Sequence, residues 1–116
     1  SVYAQHHIYQ NNSSVLSTGQ SSQSQLYRTL HFPSNQATAN IYGSAVMDIL
    51  DFSNASKNTT VRSINDGSNA GTAWGINFGS GFLNQQSAIT QIAFKPYFDS
   101  GLIKDGSRFS LYGSKG

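Results

Sequence analysis

Residues 44–64, SAVMDILDFSNASKNTTVRSI, decide the fold class. An apolar run, AVMDILDF, gives way to the six polar residues SNASKN and then to the β-branched run TTVRSI. Ser and Asn satisfy the backbone in turns while Val, Ile and Thr fill strands, so the stretch is expected to form a β-hairpin. On its first arm Val46, Leu50 and Phe52 share a face with Asp48, and Met47 and Ile49 share the other with Asp51. Neither face is cleanly polar. Such a strand is expected to be covered on both sides, by the core on one and by a second subunit or a neighbouring loop on the other.

Working outward, residues 2–9 alternate Val2, Ala4, His6, Ile8 against Tyr3, Gln5, His7, Tyr9, a strand with two semi-polar faces. Residues 11–24, rich in Ser, Gln and Asn, are too polar to bury and read as a long exposed loop or a poorly ordered excursion. Leu26, Leu30 and Phe32 recur on one face of an expected strand that Pro33 ends, and 34–40 reads as loop. Residues 65–71, NDGSNAG, tolerate positive φ and are expected to reverse the chain. In the next strand Trp74, Ile76, Phe78 and Phe82 point one way, while Gly75, Asn77, Gly79 and Gly81 point the other. This predicts an aromatic inner face, with Trp74 in the core, and a nearly bare outer face that another backbone can approach closely. A turn over 84–87, a strand over 89–98 with Ile92 and Phe94 inward, a loop over 99–106 and a short closing strand at Phe109 and Leu111 complete the reading. No segment has apolar residues at helical spacing. The expectation is one all-β domain over 1–116, an antiparallel β-sandwich of six or seven strands.

At 116 residues the chain suits one domain. Charged residues are 10% of the chain and Glu is absent. The basic residues, among them Arg28, Lys57, Arg62, Lys95, Arg108 and Lys115, are scattered. Nucleic-acid binding is not expected, because phosphate affinity needs a concentrated basic face. Without cysteine there is no disulfide or thiolate chemistry. No apolar run approaches the roughly 20 residues of a membrane-spanning helix.

Three sequence segments carry a resemblance: ILDFSN leading into NASKNTTVRS (49–63), SGFLNQQSAITQIAF (80–94) and GSRFSLYGSK (106–115). Their order resembles a β-sandwich domain of jelly-roll type found in tailed-phage appendage proteins, which include tail fibres, minor tail proteins and capsid decorations. The matching motifs are Phe52-Ser53-Asn54, the Lys and Thr return over 57–62, Ser-Ala-Ile-Thr-x-Ile over 87–92, and the closing Phe-x-Leu-Tyr-Gly over 109–113. The resemblance spans about 2–115 and aligns to the later two-thirds of such a domain. It implies a structural virion protein, frequently homotrimeric, that contacts other virion proteins and in some members a host surface. It implies neither catalytic residues nor a cofactor. The sandwich is accordingly expected to be incomplete, its early strands supplied by upstream residues or by a neighbouring subunit.

His6 and His7 are adjacent on a strand and face opposite ways, so they cannot ligate one metal locally. His31 would join either only by tertiary approach or around a trimer axis. Asp66, Asn69, Asp99 and Asp105 sit in Gly/Ser loops without a calcium-loop spacing and read as turn residues. Glycoside hydrolysis needs two carboxyl groups at defined separation, and Asp48 and Asp51 are expected on opposite strand faces. No GxSxG elbow is present, and no enzyme activity is expected. A second reading is a carbohydrate-binding module acting on a cell-surface glycan. Tyr3, Tyr9, Tyr27, Tyr42 and Tyr97 would supply the contacts, since aromatic rings are the usual platforms for sugars.

Overall fold

A computed structural model describes residues 2–11, 13–27, 29–30, 33–35, 37–66, 74–95 and 101–114, with only the backbone of Trp74. The fold is all-β, as the sequence predicts. Five strands, β1 (Tyr3–Asn11), β2 (Ser14–Gln23), β3 (Ser44–Leu50), β4 (Thr59–Asp66) and β5 (Trp74–Leu83), form one antiparallel sheet in the order β2-β1-β5-β4-β3. Among the described residues there is no second sheet.

The hairpin read from residues 44–64 forms with Val46 opposite Ile64 and Leu50 opposite Thr60. Asp51, at φ 57°, leaves the ladder and opens the turn. It therefore does not face away from Asp48 on a common strand, as the sequence predicted. Its carbonyl accepts from the Asn54 amide at 3.1 Å, and its carboxylate takes Lys57 Nζ at 3.3 Å. These local bonds replace ladder bonds where Ser and Asn make a turn inexpensive.

Where a loop was expected over 11–24, the chain forms β2, paired to β1 from Asn11↔Ser14 to Tyr3↔Gln23. An edge strand needs apolar side chains on neither face, because water satisfies its outer groups and the ladder its inner ones. Its polar residues also join the sheet, as Gln5 Nε2 donates to Gln20 Oε1 at 2.6 Å. The register slips between Tyr3 and Gln5, and Ser22 takes φ 57° there, the mark of a bulge at a sheet edge.

The strand order places β2 and β3 at opposite edges, so the connection 24–43 must cross about 19 Å of sheet. The expected strand bearing Leu26, Leu30 and Phe32 does not form at Leu26 and Leu30, and Phe32 lies outside the described residues. Leu26 and Leu30 belong to an irregular strap instead. It crosses the face made by Gln5 and His7 of β1, Asn77, Gly79 and Gly81 of β5, and Thr59, Val61, Ser63 and Asn65 of β4. All nine are buried. A Cβ on Gly79 would come within 2.9 Å of Thr29 Cα, and one on Gly81 within 2.7 Å of a Leu26 methyl. The bare glycine face thus does receive a second backbone, as expected from the sequence.

That contact reverses the expected inside and outside of β5. Ile76, Phe78 and Phe82 are exposed, while Asn77, Gly79 and Gly81 are buried and Gly75 is half-buried. The physical reason is that a strap buries carbonyl groups, which need donors and close approach more than they need apolar partners. Ser63 Oγ donates to Thr29 O, and Asn65 Nδ2 donates to the same oxygen at 3.1 Å. Among the described residues Val61 is the one buried large aliphatic side chain.

Two further expectations change. Residues 90–95 and 107–114 are exposed, and neither they nor Ile89 join a ladder, so Ile92 and Phe94 do not point inward and Phe109 and Leu111 form no closing strand. Residues 96–98 of the first expected strand lie outside the described residues. So do 67–71 of the expected reversal, Asn69 and Asp99 of the loops, His31, Tyr97 and the side chain of Trp74.

Candidate functional site

Strand alternation sends the other half of each strand to the uncovered face, which is where the apolar residues gather. Val46 of β3 stands opposite Ile64 of β4, Ile64 opposite Phe78 of β5, and Phe78 opposite Ile8 of β1. The four make an unbroken apolar row across four strands, Val46 being 66% exposed and Phe78 52%. Two residues along lies a polar row, Asp48, Arg62, Ser80 and His6. Asp48 Oδ2 and Arg62 Nη2 are 3.5 Å apart there. Beyond it Leu50 and Phe82 flank Thr60. His6 lies across Gly19 of β2, whose added Cβ would come within 2.7 Å of Nε2.

In projection the face measures roughly 20 by 23 Å, or about 450 Å², from the strand spacing and rise. The apolar residues occupy only part of that area, because the Asp48, Arg62, Ser80 and His6 row crosses its middle. A shallow concavity of about 220 Å³ marks its end, lined by Ser44, Val46, Ile64, Asp66 and Ile76 among others. Each large side chain on the face has about 1 kcal/mol still to gain from complete burial.

The tyrosines occupy three separate places. Tyr3 and Tyr9 are half-buried on the covered side of β1, about 20 Å apart, and Tyr9 stacks on His7 with centroids 4.8 Å apart. Tyr27 is half-buried in the strap, its hydroxyl 3.3 Å from Ser24 Oγ. Tyr42 is exposed at the far end of the strap, and Lys104 Nζ stands 5.0 Å from its ring centroid. That ammonium also donates to Thr38 O at 2.8 Å and Ile41 O at 3.0 Å, fixing the strap's end to residues 101–104. The structure does not bring the four described tyrosines to one surface. Tyr112, 88% exposed, was not singled out by sequence. Its position in the exposed 107–114 segment is a tertiary fact that alternation alone does not reveal.

His6 is exposed and His7 buried, on opposite faces as expected. Among the described residues no three His, Asp or other metal-ligating side chains gather. Among them, too, no helix is long and apolar enough to cross a membrane. The sequence reading did not single out the open face as a candidate surface, because periodicity identifies which residues share a face and not which face is covered. Comparison of the chain with family models, with curated proteins and with solved structures finds no match.

Proposed function

We propose that the chain is a structural module of a tailed-phage virion, in a tail fibre, minor tail protein or capsid decoration, assembled through its open sheet face, with the homotrimer as the expected state. The observation that carries the assembly is the Val46–Ile64–Phe78–Ile8 row. The motifs at 52–54, 57–62, 87–92 and 109–113 supply the virion context. In such an assembly the chain's five-stranded sheet is one layer of a β-sandwich, and the second layer comes from outside these five strands. The work is mechanical, positioning neighbouring virion proteins and, where the appendage meets a cell, a host surface. No step of bond making is asked of it.

Native mass spectrometry at micromolar concentration tests the assembly, with a trimer as the expected species. A monodisperse monomer contradicts it. The virion context is tested separately by proteomics of purified particles from the source: peptides of this chain should co-purify with the other virion proteins, and their absence overturns that part.

A further inference from the structure

We infer that the strap is a latched lid: it lifts from the sheet as a unit while the five strands stay paired, and the grip of residues 101–104 on its far end sets how often it lifts. The first ground is what lies beneath it. Of the buried positions that the strap crosses, all but Val61 are polar residues or glycine. Lifting the strap hands their amides and hydroxyls to water, which satisfies them, and uncovers little apolar surface. No ladder is lost, because among the described residues the five strands pair with one another and not with the strap. A segment with few buried apolar contacts opens at a lower free energy than the structure that carries it.

The second ground is how the strap is held. At its middle the Thr29 carbonyl accepts from Ser63 Oγ and Asn65 Nδ2. At its far end, residues from late in the chain take hold. Ser34 forms an isolated bridge with Ile103, the Asn35 amide donates to the Leu102 carbonyl at 3.0 Å, and the Leu102 amide donates to Asn35 Oδ1 at 3.0 Å. Lys104, half-buried, completes the grip by donating to the Thr38 and Ile41 carbonyls beside the Tyr42 ring. Bonds from a charged donor are about twice as strong as neutral ones, which makes this contact the catch of the latch. It joins positions 66 and 63 residues apart, so closure of the strap waits on a segment far along the chain.

The test uses the whole chain in dilute solution. Val61 is paired with Gly81, against which Leu26 of the strap lies, and the chain has no cysteine, so Val61→Cys carries a single thiol that reports the lifting of the strap. Its labelling rate is followed against urea below the unfolding transition, together with hydrogen exchange of the β4 and β5 ladder amides. The opening constant from labelling is expected to exceed that of the ladder amides by about tenfold or more. It should also change little with urea, because lifting exposes little surface, while the ladder amides follow the steep dependence of global unfolding. Adding Lys104→Met, which keeps the length of the side chain and removes its charge and donors, should speed labelling about tenfold or more with the shallow urea slope unchanged. Labelling that shares the opening constant and urea slope of the ladder amides makes strap and sheet one cooperative unit and overturns the inference. A rate that Lys104→Met leaves unchanged overturns the latch. The urea slope is read on Val61→Cys alone, so the first of these outcomes is decided even where the double variant fails to fold.

Discussion

The two faces of the sheet invert the usual relation between polarity and burial. On the covered face the most buried side chains are Gln5, Asn77 and Thr59. On the open face Ile8, Val46, Ile64 and Phe78 stand in solvent. The difference follows from what covers each. A strap that crosses four strand intervals brings a backbone, and a backbone needs room and donors, supplied here by Gly79, Gly81, Ser63 and Asn65. A face lined with Phe and Ile would hold that backbone off and leave the Thr29 carbonyl unpaired. The apolar side chains are left exposed on the other face.

The strongest way to break this comparison is to fill the glycine face. Gly79→Leu must displace Thr29 and should cost about 3 kcal/mol or more, read as a lower urea midpoint. Full tolerance would place the strap elsewhere. Next in size is the Ser63→Ala, Asn65→Ala pair, which strips both side-chain donors from the buried Thr29 carbonyl. It should cost about 2–3 kcal/mol, with each single change costing less. Phe78→Thr, on the open face, should cost the monomer only about 1 kcal/mol, since half the ring is already in water. A loss matching that of Gly79→Leu in the dissociated chain would mean that Phe78 is core. Smallest is Lys57→Ala, which removes an exposed ion pair with Asp51 and should shift stability by less than about 0.5 kcal/mol.

The hairpin of β3 and β4 and the phase of β5 were legible because alternation is a local property that one strand carries by itself. The glycine face was legible as a place of close backbone approach for the same reason. Which face would be covered was not. That depends on β2 and β3 lying at opposite edges, a consequence of β1 pairing with β5 across most of the chain. β2 was missed because an edge strand of Ser, Gln and Thr gains its stability from one ladder and leaves no apolar signature. Residues 89–95 and 107–114 carry strand alternation, but alternation names a tendency to pair and supplies no partner. The tyrosines were chosen for ring chemistry, and their separation onto β1 and the two ends of the strap is set by topology.

Thiol labelling of two cysteine variants tests the central claim most directly. Val61→Cys nearly conserves volume on the covered face, and Ser80→Cys sits on the open one. Val61→Cys is expected to label slowly at every protein concentration, because reaching it requires the strap to open. Ser80→Cys should label rapidly in dilute solution and become protected as concentration drives assembly. Rapid labelling of Val61→Cys together with protection of Ser80→Cys in the dilute monomer would contradict the account, because the apolar face would then be the inside of the molecule.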